Sequence, residues 1–454
     1  MTAISFPPAF EEYMRNHLDT PSWNSFLVAH AASSPVSIRI NPFKSNLINA
    51  GEKIPWTAFG YYLKERPIFT LDPLFHAGAY YVQEASSMFL EQAIKQIIPL
   101  DQPLHVLDLC AAPGGKSTHI ISLLNKNSLL VSNEVIRSRV NVLGENLQKW
   151  GSNNVIVTHN DAHDFSALEG MFDVIIIDAP CSGEGLFRKD PSAMKSWSPE
   201  NIEHCSARQK RILNDVWPAL KESGILIYST CTYNTSENEE NLSWLQQHKE
   251  VEFIPLILND KWRVEEVKKD NAVGYRLYPH TVKGEGFFLA AARKLEKTYP
   301  VKNKISKPVF NSPSKKIMQE INSWLINPEE KTFIQRENTI QFFPTIHTSF
   351  IEQVIKPLRI NYAGTFLGTV KHDKIIPEHA LALSNELCKE NFFTVSLSRD
   401  HALQYLRKET ISLDVPHKGF ALAVYNNLPL GWMNIIPGRI NNLYPQEWRI
   451  RMSG

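Results

Sequence analysis

The sequence predicts an α/β fold built on a parallel, doubly wound sheet. Short β-branched runs alternate with helical patterns over residues 104–229. The run at residues 173–178 is almost continuously β-branched, as expected for a strand that is buried on both faces. Acidic residues stand at the ends of successive runs, and the carboxyl ends of parallel strands share one edge of a sheet. These observations together favour a ligand-binding α/β domain.

The individual elements follow from the spacing of the apolar residues. The predicted strands are residues 105–109, 128–131, 154–158, 173–178 and 225–229, and a last apolar run covers residues 286–292. Between the second and third strands, apolar residues recur at steps of four and three, which predicts a helix that buries one face. The apolar positions of this helix are Ile136, Val140, Leu143, Leu147 and Trp150.

A chain of 454 residues is too long for one ordinary domain. We expect an N-terminal α+β domain at residues 1–70, a large α/β domain at 71–294, a basic linker at 295–315, an intermediate region at 316–392 and a C-terminal module at 393–454. The intermediate region begins with a predicted helix at residues 316–325. Residues 293–316 carry eight basic residues, one acidic residue and three prolines. Such a run is a solvated linker or one that also contacts phosphate, and both interpretations stay open.

The composition argues against several classes of protein. The net charge is +1, so any nucleic-acid surface is a local patch rather than a property of the whole molecule. The first residues do not resemble a signal peptide, and no apolar stretch reaches about 18 residues. We therefore expect no membrane partner. The five cysteines are scattered and form no C-x-x-C pair, which favours a cytoplasmic protein and argues against disulfides and a structural metal site.

The loop at residues 108–117 lies at the turn from the first predicted strand into a helix, where doubly wound folds bind their ligands. Its end, Gly115-Lys116-Ser117, is compatible with a phosphate-binding loop. However, Cys110 stands where that motif requires a glycine, so the match fails. A generic strand-to-helix turn remains the alternative interpretation for this segment on its own.

Four acidic residues favour a specific ligand. Asp108, Glu134, Asp161 and Asp178 each follow or end a successive predicted strand, so all four are expected at the ligand-binding edge. An acid after the second strand can hold ribose hydroxyls, and the next acid can contact adenine. We therefore expect an adenosyl ligand, with Glu134 and Asp161 at exposed strand ends.

Two cysteines indicate the chemistry. Cys181 and Cys231 each follow a predicted strand at the same sheet edge. A lone cysteine there is usually a small core residue, but two favour covalent catalysis. Methylation of carbon 5 of cytosine requires a thiolate, because its addition to carbon 6 makes carbon 5 nucleophilic. Asp178 is a candidate for stabilising charge at N3, and its context, Asp-Ala-Pro-Cys, disfavours amine methylation, which usually employs Asp-Pro-Pro-Tyr.

Three segments, residues 110–116, 178–185 and 229–233, resemble the signature motifs of the NOL/NOP/Sun family of RNA cytosine-5 methyltransferases. The resemblance covers residues 70–294. It implies a Rossmann-like methyltransferase domain that uses S-adenosylmethionine, with Cys231 as the nucleophile, Cys181 assisting product release and Asp178 in the catalytic site. The cofactor-binding residues that it implies are Cys110, Ala111, Ala112, Pro113, Gly114, Gly115, Lys116, Glu134, Asp161 and Asp178.

The C-terminal residues are similar to the bacterial RsmF type of this family through residues 419–423, 430–432 and 444–448. This similarity implies a PUA-like RNA-binding module and 16S ribosomal RNA, in the small subunit or its precursor, as the partner. A DNA partner is not expected, and the oligomeric state is not predicted. Two alternatives stay open: the same chemistry on transfer RNA, and a catalytically silent RNA-binding assembly factor.

Overall fold

The computed structural model of the protein describes residues 5–44, 51–299, 310–372 and 374–452. Residues 300–309, the centre of the predicted basic linker, lie outside the described residues. Within the described ranges, no helix has both the length and the apolar character needed to cross a bilayer. The same ranges contain no cluster of side chains that could hold a metal ion.

The N-terminal part consists of a helical pair and a small antiparallel sheet. Its elements are α1 (Pro8–His17), α2 (Thr20–Ala31), β1 (Val36–Ile40), β2 (Glu52–Lys53), β3 (Gly60–Leu63), α3 (Pro73–His76) and β4 (Tyr80–Val82), with the sheet order β2-β3-β1-β4. Strand β4 lies beyond the expected boundary at residue 70, because it pairs with β1 and places Ile38 opposite Val82. The helical pair packs against the large domain, where the Phe10 ring lies 5.0 Å from Phe187.

The large domain is built on a ten-stranded mixed sheet. Its elements are α4 (Leu90–Ile97), β5 (His105–Asp108), α5 (Gly115–Leu123), β6 (Leu129–Asn133), α6 (Arg137–Trp150), β7 (Val155–Thr158), β8 (Phe172–Asp178), α7 (Ala193–Ser196), α8 (Pro199–Val216), β9 (Leu220–Thr230), α9 (Glu239–His248), β10 (Val251–Phe253), β11 (Glu265–Lys269), β12 (Ala272–Leu277) and β13 (Phe287–Lys294). Nine of its strands lie in this domain, in the order β11-β12-β13-β9-β8-β5-β6-β7 with β10 beside β13, and the tenth strand, from the intermediate region, borders β7. Strands β5 to β9 are parallel, and β13 joins β9 antiparallel. The predicted fold class is confirmed.

Helices cover both faces of this sheet. Val106 of β5 belongs to a core with Ile120 of α5 and Val140 of α6, whereas the next residue, Leu107, packs in a second core with Ile212 of α8. Such alternation is expected, because successive side chains of a strand point to opposite faces. Strand β5 lies between β6 and β8, where the strand order reverses. The loops after β5 and β8 therefore diverge at the carboxyl edge and leave room for a ligand.

The intermediate region is joined to the large domain through a shared sheet. Its elements are α10 (Lys315–Asn322), β14 (Lys331–Arg336), β15 (Thr339–Pro344), α11 (Thr348–Val354), β16 (Ile360–Ala363), β17 (Thr365–Lys371), β18 (Lys374–Pro377) and α12 (His379–Leu383). Strands β14, β15, β17 and β18 form a separate sheet, but β16 pairs antiparallel with β7. Strand β16 thus covers an edge of the large sheet whose backbone N–H and C=O groups would otherwise lack strand partners.

The C-terminal module is a second small sheet with one helix. Its elements are β19 (Phe393–Ser396), α13 (Arg399–Leu406), β20 (Gly419–Tyr425), β21 (Leu428–Ile436) and β22 (Arg439–Asn442), and the strands pair in this order. The turn between β20 and β21 has positive φ at Asn426 (48°) and Asn427 (62°), which asparagine tolerates in a two-residue hairpin. The module contacts the N-terminal part, since the Tyr444 hydroxyl lies 3.4 Å from Nδ1 of His76.

Substitutions of Tyr362 in β16 test how much the packing of the intermediate region against the large domain contributes to stability. Its ring is buried in the core that contains Val140 and Leu143 of α6, and its hydroxyl donates to the Gly144 carbonyl at 3.2 Å. Tyr362→Ala should lower the free energy of unfolding by about 3 to 5 kcal/mol, and Tyr362→Phe by about 1 kcal/mol. Urea denaturation measures both. An unchanged unfolding free energy for Tyr362→Ala would contradict the packing of β16 into this core.

Candidate active site

Two loops meet where β8 and β9 end. These strands are parallel, with Asp178 opposite Ser229, so the loops that follow them leave the sheet side by side. The sulfur atoms of Cys181 and Cys231 lie 2.9 Å apart, and the backbone N–H of Cys231 donates to the sulfur of Cys181 at 3.3 Å. The structure therefore brings the two predicted cysteines into direct contact.

The contact changes the acidity of Cys181. The hydrogen bond to Cys231, followed by burial, raises the pKa of Cys181 well above the usual value for a thiol. Cys181 therefore holds its proton more tightly than an ordinary thiol does. Two thiols in direct contact can take part in different steps of one reaction.

An ion pair lies beside the cysteines. Nζ of Lys116, at the start of α5, is 2.7 Å from Oδ2 of Asp178, and the Ser229 hydroxyl donates to Oδ1 at 2.9 Å. Burial opposes the lysine cation, but the negative charges of Asp178 and, less strongly, Cys231 raise the pKa of Lys116. The ammonium group is thus fixed at Asp178, close enough to Cys231 to interact with its charge.

A cleft of about 600 Å³ opens along this edge of the sheet. Its lining includes the cysteine pair and the predicted residues Cys110, Ala112, Glu134, Asp161 and Asp178. Val135 and Ile136 line the cavity and are about half exposed, at 54% and 48%. Their side chains form an apolar wall. Three of the four predicted acids therefore share one cavity with the cysteines.

The prediction that Ile136 lies on the buried face of α6 is wrong. The helix begins one residue later, at Arg137, and Ile136 stands at its N-terminal cap, where it lines the cleft. The other predicted apolar positions, Val140, Leu143, Leu147 and Trp150, are buried as expected.

The acids at the cleft differ in their surroundings. Glu134 is buried rather than exposed, because its carboxylate accepts the N–H of Ile136 at 2.8 Å and pairs with Arg139 at 3.3 Å. Asp161 is partly exposed, and the Arg211 guanidinium donates to its two oxygens at 2.8 and 3.1 Å. The hydrogen bonds from Arg211 hold the pKa of Asp161 below its usual value.

The loop between β5 and α5 borders a second cavity of about 180 Å³, which shares Cys110, Ala112 and Asp178 with the cleft. Other predicted residues of the loop line this second cavity, namely Ala111, Pro113, Gly115 and Lys116. Gly114 lines neither cavity. Its φ of 110° is one that L side chains rarely adopt, and it turns the chain into α5.

The whole chain is similar to ribosomal RNA methyltransferases. Residues 96–293 match the family described as 16S rRNA methyltransferase RsmB/F, residues 6–85 match the N-terminal domain of 16S rRNA methyltransferase RsmF, and residues 392–450 match the RsmF PUA domain. The Escherichia coli O6:H1 protein named ribosomal RNA small subunit methyltransferase F is 32% identical over 98% of this chain and 96% of its own length. This chain belongs to the RsmF family of 16S rRNA methyltransferases.

Solved structures agree on the fold of this RsmF-family protein. A methyltransferase homologue from Pyrococcus horikoshii is 27% identical and aligns with a TM-score of 0.52 over 64% of this chain and 100% of its own. The structure of NSun6 from Pyrococcus horikoshii with SFG aligns over 64% and 99% with the same TM-score, at 19% identity. The predicted Sun-type family, the methyltransferase fold with a PUA module, and the RNA partner are confirmed.

S-adenosylmethionine is the cofactor of this RsmF-type methyltransferase, as predicted. An adenosyl group needs an apolar surface for the base and hydrogen-bond acceptors for its hydroxyl and amino groups. The cleft offers both, with Val135 and Ile136 as the apolar wall and the carboxylates of Glu134 and Asp161 beside it. The residues present therefore fit the cofactor.

Three arginines of the site were not predicted from the sequence. Arg208 and Arg211 of α8, with Arg139 of α6, bring positive charge to the cleft. The cap residue Ser198 and the following proline are sequence signals for the start of α8. Those signals do not indicate which face of the helix meets the sheet, so the two arginines could not be assigned to the site.

Asp108 at the end of β5 allows a test of the electrostatics of the site. Its Oδ2 accepts the Ser117 hydroxyl at 2.6 Å, whereas its Oδ1 has no partner among the described residues. Burial raises the pKa of Asp108 to about 7. The raised pKa means that the folded state holds this proton more tightly than the unfolded state does. The resulting stabilisation is complete below about pH 4 and is lost as the pH rises towards about 7.

Asp108→Asn cannot ionise, so the variant lacks this pH dependence. Between about pH 5 and pH 7, the wild-type protein should lose about 2 kcal/mol of unfolding free energy relative to Asp108→Asn. Urea denaturation at the two pH values measures the difference. Asp161→Asn is the control. Because the pKa of Asp161 is lowered, the difference in unfolding free energy between the wild type and Asp161→Asn should not change over this pH range. A constant difference between wild type and Asp108→Asn would contradict the raised pKa.

Proposed function

We propose that this RsmF-family enzyme methylates carbon 5 of a cytosine in 16S rRNA through a covalent adduct between Cys231 and carbon 6 of the base. The contact between the Cys181 and Cys231 sulfurs, 2.9 Å apart at the cleft, carries this proposal. Methylation of a base nitrogen has no need of two adjoining thiols. Methylation of carbon 5 needs one group to add to the ring and another to help restore it.

The reaction begins with addition to the base. The Cys231 thiolate forms a bond to carbon 6, and the electron pair of the carbon 5–carbon 6 double bond moves towards carbon 5 and N3. The contact with the Cys181 sulfur orients the Cys231 sulfur. We assign Asp178 to the stabilisation of charge at N3. The Lys116 ammonium, 2.7 Å from Asp178, can pass a proton to this carboxyl group, which delivers it to N3 as negative charge develops there and takes it back once the ring is restored.

The second stage restores the aromatic ring. Once carbon 5 carries the new methyl group, a base must remove its proton, and the electrons of that C–H bond then expel the Cys231 sulfur from carbon 6. We assign this assistance to Cys181. The Cys181 thiol first gives up its proton to solvent in the cleft, and the resulting thiolate takes the proton from carbon 5. The raised pKa of Cys181 makes that thiolate a strong base, as this step requires.

We assign the cofactor to the two cavities along the sheet edge. The loop from Cys110 to Lys116, together with Glu134, Asp161 and Asp178, would hold it. S-adenosylmethionine supplies an electrophilic methyl group when it is bound there. The buried Glu134 carboxylate is already oriented by Arg139 and by the Ile136 N–H, so its hydrogen-bonding direction is set before a ligand arrives.

The alternatives find less support. A catalytically silent RNA-binding factor has no need of the paired thiols or of the carboxylate-lined cleft. The same chemistry on transfer RNA is compatible with the active site, but the match to 16S rRNA methyltransferases covers nearly the whole chain, including the C-terminal module. A ribosomal RNA substrate is compatible with the cytoplasmic location expected from the scattered, unpaired cysteines.

The two cysteines give the sharpest test of the mechanism. Cys231→Ala cannot form the bond to carbon 6, so methylation and any covalent protein–RNA species should both be lost. Cys181→Ala should still add to the base and methylate it but should release the product slowly, because elimination follows methyl transfer. A denaturation-resistant protein–RNA complex should then accumulate on a gel with 16S rRNA, and the double variant should show none.

Cys205→Ala is the matched control, because Cys205 is buried in α8 and neither of the two cavities includes it in its lining. This variant should methylate without forming a trapped complex. Trapping in Cys231→Ala but not in Cys181→Ala would exchange the two roles. Methylation that persists in Cys231→Ala would contradict covalent catalysis through Cys231.

A further inference from the structure

Two buried carboxylates, Glu184 and Glu237, lie behind the cysteine pair. Neither side chain is exposed to solvent. Glu184 belongs to the loop that carries Cys181, and Glu237 belongs to the segment that follows Cys231. Burial raises the pKa of Glu237. The groups that donate hydrogen bonds to Glu184 and Glu237 are all uncharged, so neither carboxylate is explained as half of an ion pair.

Glu184 binds the loop of the other cysteine. Its Oε2 accepts hydrogen bonds from the Thr232 hydroxyl at 2.7 Å, the Tyr233 N–H at 2.8 Å and the Asn234 N–H at 2.9 Å. Its Oε1 accepts the indole N–H of Trp197 at 2.9 Å and the Asn234 side-chain amide at 3.1 Å. The three residues directly after Cys231 are therefore fixed to a side chain of the Cys181 loop.

Glu237 makes the reciprocal connection. Its two oxygens accept the backbone N–H of Ser182, the residue after Cys181, at 3.1 and 3.2 Å. The Gln209 amide donates to it at 2.7 Å, and the Asn234 amide, which also donates to Glu184, does so at 2.8 Å. Each cysteine loop is thus held by a carboxylate from the other loop.

Further contacts tie the same two loops. The hydroxyls of Ser182 and Thr232 lie 2.9 Å apart, and the Gly185 N–H donates to the Cys231 carbonyl at 2.9 Å. Buried carboxylates are costly, and apolar side chains that fill the same space often stabilise a protein more. Their hydrogen bonds fix direction and distance, which apolar packing does not. A positional requirement therefore accounts for them better than stability does.

We infer that Glu184 and Glu237 are positioning residues that set the distance between the Cys181 and Cys231 sulfurs. The inference rests on the proposed function, because the distance matters for catalysis only if both thiols act on one base. Neither carboxylate lines the cleft or touches the reacting atoms. They act through the backbone of the two loops, and their removal should leave the binding of cofactor and RNA nearly intact.

The separation of the sulfurs can be measured without any methylation reaction. Diamide oxidises two neighbouring thiols to a disulfide and is itself reduced to the hydrazine. In the wild-type protein, the 2.9 Å contact should make pairing of Cys181 with Cys231 fast, and peptide mapping by mass spectrometry follows it over time. Glu184→Gln and Glu237→Gln should slow this pairing by about tenfold or more, because small displacements of reacting groups cost large factors in rate.

Steady-state kinetics of 16S rRNA methylation should show that the two glutamine variants lose turnover but keep substrate binding. In both variants kcat should fall by about tenfold to a hundredfold, while KM for RNA and for the cofactor should change by less than about threefold. Glu91→Gln is the control, because Glu91 is an equally buried carboxylate whose partners lie away from both loops. These partners are Thr57, Ala58, His119 and the ammonium group of Lys95. The Glu91→Gln variant should pair its thiols and turn over at the wild-type rate.

Thr232→Val is a milder variant of nearly the same shape, for use if a glutamine variant fails to fold. It removes the hydroxyl contacts to Glu184 and Ser182 and should also slow thiol pairing. Wild-type pairing rates in the glutamine variants, or equal slowing in Glu91→Gln, would overturn the inference. So would an absence of pairing in the wild-type protein. If pairing is slowed in the glutamine variants but the wild-type enzyme makes no 5-methylcytidine, the proposed function is refuted and the positioning of the two sulfurs by Glu184 and Glu237 still holds.

Discussion

The parallel pairing of β8 with β9 is the constraint on which the active site depends. This register places Asp178 opposite Ser229, so that the Ser229 hydroxyl binds the Asp178 carboxylate and the next residues of each strand lead into the two cysteine loops. A shift of one residue would turn every side chain of the strand to the other face of the sheet. Ile177 and Tyr228, each next to these residues, are both buried in one core, which fixes the register. The chemistry at the edge thus depends on packing in the centre of the sheet.

The surrounding parts of the chain restrain the same loops. Tyr13 of α1 accepts the Thr235 N–H at 2.9 Å, and Phe26 of α2 lies 5.5 Å from the Tyr233 ring, so the N-terminal helices hold the segment after Cys231. At the other end of the molecule, the Lys149 ammonium of α6 lies 5.1 Å from the Trp448 ring of the C-terminal module. Strand β16 of the intermediate region pairs with β7, so both this region and the C-terminal module, which matches a PUA domain, contact the methyltransferase domain. The catalytic and RNA-binding parts therefore belong to one framework.

Local patterns in the sequence predicted the parts of the site that depend on strand ends. The acids and both cysteines follow β-branched runs, and the structure places them at one edge because the ends of parallel strands meet there. Features that depend on the exact start of a helix or on distant contacts were not predictable. The burial of Glu134 depends on Arg139 and the start of α6, which also turns Ile136 towards the cleft. The strand β16 and the crossing of Glu184 and Glu237 depend on segments that meet only in the folded chain.

Bisulfite sequencing of total RNA from a strain that lacks the gene, with and without a plasmid copy of the wild type or of Cys231→Ala, tests whether this enzyme places its methyl group on carbon 5 of a cytosine in 16S rRNA. We predict that a cytosine of 16S rRNA which resists conversion in the parent strain becomes convertible in the deletion strain. The wild-type copy should restore its resistance and Cys231→Ala should not. Unchanged 16S rRNA, a loss confined to transfer RNA, or restoration by Cys231→Ala would contradict the account.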